Sequence, residues 1–475
     1  MKKLILIGLL IVSTISCEDF EGWNIDDKHP GEVSGDYLVT FAQLQMARRV
    51  WDMNVNTSCF AMMAQYWTET TYTDEANYDF VTRNQGGNYW NAQYTNVLAN
   101  LADARRIISE NPLLSEEQKA NQTAIITLME AYTWQSLVDV YGYIPYSEAI
   151  QGSANLVPVY DKDSDVYNDL FTKITSAVNT LKGGGTSFLS GADLIYGGDV
   201  AKWAKFGNSL KLRMAVRISD VDNAKATAMA AEAIASGIIT GHSESAIFPF
   251  QSTPPNTNPM WEDLIQSGRL DFVVSNTFVD VISPLNDPRA AVFMQDNVVP
   301  YTGGPYGANN NYASYTHIGT QFEDPANAGV MLGYDEAAFL QTEAIARGLV
   351  SGNAEESYKT AITASIEYWT GSSSSAAAYL AQPAVKYDAA NWKKSIGTQK
   401  WIAMFARGIE GWASWRMYDY PAMNTAAQSQ LPVPRRYIYP NAEPKINGTN
   451  YEAASSAMGG DVLTSRVFWD KGVGN

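Results

Sequence analysis

The chain has very few residues of the types that carry most enzymatic chemistry and most covalent cross-links. Only two cysteines, Cys17 and Cys59, and three histidines occur in 475 residues. Because His29, His242 and His317 are far apart, the sequence has no HExxH motif and no close histidine pair. It also has neither a GxSxG nucleophile elbow nor a GxxxxGK phosphate loop. The familiar sequence motifs of zinc proteases, α/β-hydrolases and P-loop nucleotide-binding proteins are therefore absent.

The chain has fewer positively charged residues than negatively charged ones. The chain has 33 Lys and Arg against 50 Asp and Glu, which gives a formal net charge of −17. Such a balance argues against binding to nucleic acid or to an anionic lipid surface, both of which attract basic patches. An acidic chain does offer many carboxylate pairs of the kind that glycoside hydrolases use, although no pair stands out. A surface hydrolase therefore stays open as an alternative.

Long apolar runs are missing after the first residues. Two lysines precede an apolar stretch, residues 4–12, that is too short to span a bilayer, and small polar residues then lead to Cys17. This order predicts a lipoprotein signal peptide over residues 1–16, with Cys17 acylated and residues 17–35 forming the tether. The alternative is a plain secretion signal followed by a chance cysteine.

Cys59 and most of the aromatic rings are predicted to lie in the core. An acylated Cys17 leaves Cys59 without a partner, so no intramolecular disulfide is expected and Cys59 should be a small buried hydrophobe. Aromatic residues are abundant, with 13 Trp, 27 Tyr and 16 Phe. The tryptophans assigned to the core or scaffold are Trp67, Trp90, Trp203, Trp412 and Trp415.

Helical patterns dominate the chain. Apolar residues spaced at i, i+3, i+4 and i+7 indicate amphipathic helices, and capping residues indicate their ends. Ser115 and Gln118 form a capping box at the start of one helix, which Gly142 ends. Asp199 and Asp335 are predicted to cap two further helices. The remaining predicted helices run from near 165 to 181, over 224–236 and from 353 to 369.

Irregular chain separates the helical segments. Residues 240–330 are dense in Pro, Gly and Asn and keep no helical period, which is uncommon in a compact domain unless the loops have a use. The length fits two or three domains or one large repeat architecture. The predicted parts are a helical scaffold over about 36–239 and 330–420, a loop-rich ligand-binding region over about 240–329, a further loop over 371–390 and an irregular C-terminal segment over 421–475.

Two charged motifs have structural interpretations. DKDSDVYNDLFT, from Asp161, imitates an EF-hand loop, but Val166 stands where the turn needs Gly and Thr172 where a bidentate Glu is needed. Its carboxylates are instead expected at a helix start, where they complement the helix dipole. The basic residues of KLRMAVR (211–217) are expected to pair with acidic residues on a solvated helix face rather than to clamp a ligand. No metal site is predicted.

Three longer stretches carry a family resemblance. They are, in chain order, VDVYGYIPYSEAI (138–150), DLIYGGDVAKWAKFGNSLKLRMAVRIS (193–219) and QKWIAMFARGIEGWASWRMYDYP (399–421). Together they resemble the SusD/RagB-like family of outer-membrane lipoproteins, and most closely its shorter SusD-like subgroup. The resemblance implies a mainly α fold, in which tetratricopeptide-like helical pairs form a superhelical scaffold and a loop-rich irregular region packs on it.

The same resemblance implies a function. Members of this family are held on the outer face of the outer membrane by the acylated cysteine. They bind a nutrient, usually an oligosaccharide, and deliver it to a SusC-like TonB-dependent transporter. For this chain the resemblance implies a cell-surface glycan receptor that is not an enzyme and needs no cofactor. The alternatives are a surface glycoside hydrolase, a peptide or glycopeptide receptor of the same architecture, and a purely structural partner of the transporter.

Ligand contacts are predicted where aromatic rings lie beside amides and carboxylates on loops. A pyranose presents C–H groups to a ring face and hydroxyls to polar partners. Two stretches have this composition, residues 66–80 and 251–315. For each ring, structural packing under a loop is at least as good an interpretation. The predicted contacts are Tyr72, Asp74, Asn77, Tyr78, Asn256, Asn258, Trp261, Tyr301 and Tyr306.

Overall fold

The apolar spacing of the sequence appears in the structure as a series of helices. The computed structural model describes residues 33–471, so the predicted signal peptide, Cys17 and most of the predicted tether lie outside the described residues. The α-helices are α1 (Gly35–Trp51), α2 (Phe60–Met63), α3 (Gln85–Asn91), α4 (Ala99–Glu110), α5 (Glu116–Tyr141), α6 (Asp163–Leu181), α7 (Val200–Arg217), α8 (Asn223–Ser236), α9 (Pro259–Trp261), α10 (Asn276–Ile282), α11 (Ala290–Phe293), α12 (Tyr334–Ala346), α13 (Ala354–Thr370), α14 (Ala376–Leu380), α15 (Trp392–Ala403), α16 (Gly408–Tyr418), α17 (Glu443–Ile446) and α18 (Gly448–Ala457).

Helix α5 illustrates how local sequence sets the helix ends. The Ser115 hydroxyl accepts a hydrogen bond from the backbone N–H of Gln118 at 3.1 Å, which satisfies one of the free donors of the first turn. At the other end Gly142 has a φ of +82°, a conformation that suits glycine, and its N–H donates to the carbonyl of Val138. Both predicted ends of this helix are therefore confirmed.

Consecutive helices pack side by side and build the scaffold. Helix α5 packs on α6, α6 on α7 and α7 on α8, and the same holds for α12 with α13 and α15 with α16. Helix α12 also packs on α7, which joins the later helical pairs to the earlier ones. The mainly α fold of paired helices is confirmed. The exact boundaries between scaffold and loop-rich region stay predictions.

One large hydrophobic cluster runs through the paired helices. Cys59 is 1% exposed, as predicted for a small buried hydrophobe. Aromatic rings fill much of this cluster through tilted and edge-to-face contacts, which add to the stabilisation from burial alone. All the tryptophans predicted for the core are buried, namely Trp67, Trp90, Trp203, Trp412 and Trp415.

The basic residues of α7 pair with carboxylates, as predicted, but they do so inside the protein. Arg213 is 1% exposed and its Nε lies 2.7 Å from Glu336 Oε1 on α12. Arg217 contacts both Asp139 on α5 and Glu410 on α16. The prediction of a solvated helix face was wrong, because α5, α12 and α16 cover this side of α7 and the charges neutralise one another there.

Two sets of local predictions need correction, and a third is confirmed. Asp335 does not cap α12; the cap position is Gly333, and Asp335 binds Arg407 at 3.1 Å instead. The segment 371–390 contains the short helix α14, and the C-terminal segment contains α17 and α18. At the EF-hand-like motif, Asp163 and Asp165 lie in the first turn of α6, which confirms their role at a helix start.

Three antiparallel ribbons tie the irregular segments to the scaffold. The strands are β1 (Trp67–Glu69), β2 (Ile144–Pro145), β3 (Tyr160–Asp161), β4 (Ala246–Phe248), β5 (Phe272–Val274) and β6 (Gly329–Leu332), paired as β1–β5, β2–β3 and β4–β6. In the β1–β5 ribbon Trp67 pairs with Val274 and Glu69 with Phe272. This register places the chain that follows β1 beside the chain that precedes β5.

Candidate ligand-binding cleft

The β1–β5 ribbon brings together loops from two distant parts of the sequence. The N–H of Thr70 donates to the carbonyl of Asp271 at 2.8 Å, and the Thr70 hydroxyl donates to the carbonyl of Leu270 at 2.7 Å. The N–H of Asn310 donates to the carbonyl of Thr70 at 3.1 Å. Loops near residues 70, 270 and 310 therefore meet at one end of the ribbon.

A cleft of about 450 Å³ opens between the first two of these loops and the chain after α1. Its volume lies within the range of small-molecule sites in proteins. We call it the Tyr72 cleft. Its polar lining residues are Asn54, Asn56, Glu69, Thr71, Tyr72, Arg83, Asp263, Ser267, Arg269 and Asp271.

Tyr72 presents an aromatic ring to solvent at the edge of this cleft. It is 67% exposed, whereas most rings of the chain are buried. Its φ is +54°, a backbone conformation that is costly for a bulky residue and that the adjoining ribbon holds in place. The guanidinium of Arg269 lies 5.8 Å from the ring centre and also contacts Asp271, Nη2 to Oδ1 at 3.1 Å. The ring therefore lies exposed at the cleft edge with polar groups beside it.

Glu69 lies in the inner wall of the cleft and is only 2% exposed. Its Oε2 accepts a hydrogen bond from the N–H of Ala76 at 2.9 Å. Burial, together with the neighbouring Glu75 carboxylate, raises the pKa of Glu69 to about 9. Glu75 in turn accepts hydrogen bonds from Arg83 and Gln85. Glu69 is therefore the protonated member of this carboxyl pair at neutral pH, and Arg83 compensates Glu75.

Asp263 lines the cleft on the opposite loop. It follows α9, and its Oδ1 accepts a hydrogen bond from Asn54 Nδ2 at 3.4 Å. Burial raises the pKa of Asp263 to about 8, and the nearby Asp52 and Glu262 carboxylates act in the same direction. Arg48 opposes this rise in the pKa of Asp263 only in part, because Arg48 is engaged by Glu262 at 2.6 Å.

Of the remaining predicted contact residues, one lies near the cleft and the others lie away from it. Asp74 is near the cleft, where it pairs with Arg83 at 3.4 Å and stays partly exposed. Tyr301 is half-buried, and its hydroxyl donates to Asp296 at 2.9 Å. Asn256 and Trp261 are also half-buried, and neither lines the Tyr72 cleft. Of the predicted contacts, Tyr72 is the one that the structure places in the cleft wall.

Two predicted tyrosine contacts are buried. The hydroxyl of Tyr78 accepts a hydrogen bond from Gln65 Nε2 at 3.1 Å, and the hydroxyl of Tyr306 donates to the carbonyl of Met62 at 2.9 Å. The two rings also contact each other, with centres 6.0 Å apart. Their assignment as ligand contacts was wrong, because packing under the loops removes both ring faces from solvent.

Two predicted amide contacts have structural roles. Asn258 is buried and caps α9, since its Oδ1 accepts the N–H of Met260 at 2.8 Å. Asn77 donates to the carbonyl of Gly307 at 2.8 Å and accepts from the N–H of Gln428 at 3.1 Å. Asn258 is therefore withdrawn as a ligand contact, and Asn77 acts as a tie between three loops.

The residues that complete the cleft were not identified from the sequence. Arg269 and Asp271 lie directly before β5, and Arg83 lies before α3. No spacing rule connects them with Tyr72, because their proximity depends on which strand pairs with β1. The one available signal was the charge density of the stretch around β5, in a loop region otherwise rich in Pro, Gly and Asn.

Within residues 33–471, no group of three or more His, Cys, Asp or Glu side chains is arranged to hold a metal ion. The helices of the same part of the chain are all too short or too polar to cross a membrane.

Comparison with known proteins decides the family. Residues 27–440 match a protein family described as starch-binding and associating with the outer membrane, the SusD-like family. The chain belongs to the SusD-like family. No curated protein matches this SusD-like chain in sequence.

Solved structures agree with this assignment. A chitin-binding protein superposes with a TM-score of 0.79 at 27% identity and covers 92% of this SusD-like chain and 100% of its own. A chitin-binding SusD homologue from Flavobacterium johnsoniae has a TM-score of 0.78 at 25% identity, over 92% and 98% of the two chains. A SusD homologue from Bacteroides uniformis has a TM-score of 0.79 at 24% identity, over 92% and 99%, and shows the shared fold.

Proposed function

We propose that this SusD-like protein is a cell-surface lipoprotein of the outer membrane that binds oligosaccharides in the Tyr72 cleft. In this proposal Cys17 carries the lipid anchor and a SusC-like TonB-dependent transporter receives the bound glycan. The observation that carries the binding proposal is the exposed Tyr72 ring, held beside a polar cleft of about 450 Å³. Family membership supports the location at the outer membrane.

The chemistry of the cleft suits a sugar. A pyranose ring has an apolar C–H face that stacks on an aromatic ring, and its hydroxyls need both donors and acceptors. Tyr72 supplies the ring, and Asn54, Asn56 and Asp271 supply amide and carboxylate groups along the cleft. Each of these groups can pair with a hydroxyl that loses its water on binding, which removes the cost of leaving polar groups unpaired.

Chitin oligosaccharides are the first ligands to test. Two of the similar solved structures are described as chitin-binding, at 27% and 25% identity. An N-acetyl group carries an amide N–H and carbonyl, which the amides of Asn54 and Asn56 can match as acceptor and donor. Maltoheptaose is the second probe, because the family as a whole is described as starch-binding.

We further propose that the protein binds its glycan without cleaving it. The family is described by binding, and delivery to a transporter needs an intact ligand. Incubation of the pure protein with chitohexaose and maltoheptaose should release no new reducing ends. A steady, enzyme-like release of reducing ends would overturn this part of the proposal and favour the surface hydrolase.

The Tyr72→Ala variant tests the site. An aromatic stacking contact contributes about 0.5–1.5 kcal/mol, so the Kd for the bound oligosaccharide should rise roughly two- to twelve-fold in calorimetric titration. Because Tyr72 is 67% exposed, the melting temperature should not fall. Tyr37→Ala is the matched control, since Tyr37 on α1 is 73% exposed and does not line the cleft.

The outcomes separate the parts of the proposal. Equal affinity in Tyr72→Ala and Tyr37→Ala would remove the Tyr72 cleft as the binding site while leaving glycan binding intact. Absence of binding to both glycans, with retention of peptides in affinity electrophoresis, would favour the peptide receptor. Absence of any ligand binding by the isolated protein, together with co-purification with the transporter, would favour the structural partner.

A further inference from the structure

Asp263 is a carboxyl group in the wall of the Tyr72 cleft that forms no ion pair with any residue in the range 33–471. Its hydrogen-bond partner is Asn54 Nδ2, at 3.4 Å. Within the described part of the chain, no Lys, Arg or His nitrogen forms an ion pair with it, whereas the preceding residue, Glu262, takes both terminal nitrogens of Arg48 at 2.8 and 2.6 Å. The Asp263 carboxyl therefore lines the cleft without a neutralising partner.

The charged groups that face Asp263 are already paired among themselves. Three carboxylates lie near Asp263, and each of them is paired with an arginine. Asp52 follows α1, Glu262 precedes Asp263 in the chain, and Asp271 precedes β5. The pairs are Asp52 with Arg49 at 2.8 Å, Glu262 with Arg48 at 2.6 Å and Asp271 with Arg269 at 3.1 Å. An ionised Asp263 would add one more negative charge to this half-buried group, which is unfavourable.

The cations of the cleft are likewise engaged. Arg83 binds Glu75 and Asp74, and Arg269 binds Asp271. A ligand carboxylate or sulfate would therefore meet arginines whose positive charge is already compensated by protein carboxylates. The cleft therefore offers hydrogen-bonding groups without an uncompensated positive charge that would favour an anionic ligand.

We propose that the Tyr72 cleft takes uncharged saccharides, and that Asp263 contributes to their recognition as a protonated carboxyl that donates a hydrogen bond to a sugar hydroxyl. This inference rests on the proposed glycan-binding function and adds the charge class of the ligand and one specificity-determining residue. A protonated carboxyl offers one donor and acceptor capacity in the same group, which matches a hydroxyl on both counts.

The pH range of the effect follows from the environment of Asp263. Burial and the facing carboxylates raise its pKa to about 8, so the donor is present below this pH and is lost as the pH rises through it. Between pH 6.5 and pH 8.5 the protonated fraction of such a group falls roughly fourfold. The affinity for a neutral glycan should fall by a similar factor. The range stops at 8.5 because Glu69, with a pKa of about 9, is still mostly protonated there and becomes mostly ionised at higher pH.

The test compares the full-length mature protein with two variants at pH 6.5, 7.5 and 8.5. The neutral probe is chitohexaose or maltoheptaose, whichever binds at pH 6.5. The acidic probe is a galacturonate oligomer of similar length. The wild type should bind the neutral probe with a Kd that rises about fourfold over this range and should not bind the acidic probe. Asp263→Asn keeps an N–H donor that does not titrate, so its Kd should stay constant. Asp280→Asn, an exposed position on α10, should retain the wild-type pH dependence.

The possible failures are distinguishable. A wild-type Kd that does not change with pH, or tighter binding of the galacturonate oligomer, would overturn the inference while leaving glycan binding in place. A folded Asp263→Asn variant that loses the neutral probe at pH 6.5 would exclude the donor role. No binding of either neutral glycan at any pH would overturn the proposed function itself. If Asp263→Asn does not fold, the wild-type pH series with the two probes still tests the inference by itself.

Discussion

Replacing Arg213 by methionine should strongly destabilise the protein. The sequence pattern predicts Arg213 on a solvated helix face, where its loss would cost little, but the structure buries it. Arg213 Nε lies 2.7 Å from Glu336 Oε1, and its other nitrogens donate to Gln135 Oε1 at 3.3 Å and to the carbonyl of Met331 at 3.4 Å. A second carboxylate, Glu410, lies 3.5 Å away. Methionine removes these contacts and leaves buried carboxylates without part of their compensating charge.

The magnitude follows from the burial of the pair. Removing one partner of a buried ion pair costs about 3–5 kcal/mol, against 0–1 kcal/mol for an exposed pair. Glu336 keeps a weaker contact with Arg407, at 3.9 Å, so we expect a loss of about 3 kcal/mol. Arg106→Met is the matched control. Arg106 lies on α4, is 58% exposed and pairs with Glu110 at 3.3 Å, and its replacement should cost about 0.5 kcal/mol or less.

The assay is urea unfolding followed by circular dichroism, with the slope compared between variants before free energies are derived. Burial already raises the pKa of Glu336, and Arg213 opposes this shift. Without Arg213 the folded-state pKa rises further above the unfolded value, so the deficit of Arg213→Met should shrink as the pH falls toward 5. Adding Glu336→Gln should restore part of the loss. Similar costs for Arg213→Met and Arg106→Met, or a deficit independent of pH, would refute the buried-pair argument.

Two further predictions concern the anchor and the packing. Cys17→Ala should appear in the soluble fraction instead of the membrane fraction, because one residue carries the proposed lipid attachment; unchanged fractionation with membranes would contradict the anchor. Gly411→Ala should lower the free energy of unfolding by about 1–3 kcal/mol through overpacking, since a Cβ there would lie 2.1 Å from the buried hydroxyl of Tyr66. Gly448→Ala, with open space around its added methyl, is the control, and equal melting temperatures for both variants would count against the predicted clash.

Features governed by neighbouring residues were predictable from the sequence. The Ser115 cap and the Gly142 end of α5 depend on contacts within four residues, and both were identified. Asp335 was misassigned because an acidic residue at a helix start usually caps it, while here Arg407, 72 residues away, takes the carboxylate. Short-range rules could not show this competition.

The candidate site was only partly predictable for the same reason. Tyr72 is predicted as a ring on a polar loop and lies exposed in the cleft wall, but the same composition also led to the prediction of Tyr78 and Tyr306, which the fold buries. An aromatic residue in a loop suits either role, and only the packing of the loops decides between them. The proximity of Asp263 and Arg269 to Tyr72 could not be predicted, because it depends on the register of the β1–β5 ribbon and the spacing of nearby residues does not reveal that register.

The β1–β5 ribbon also affects when the cleft can exist. The hydrogen bond from Thr70 to Leu270 joins residues 200 positions apart, and Asn77 adds a tie to Gln428 close to the C-terminus. A chain synthesised only as far as β4 therefore lacks the partner strand of β1 and cannot form the Tyr72 cleft. Because contacts of such high sequence separation form slowly, we expect the cleft to appear late in folding.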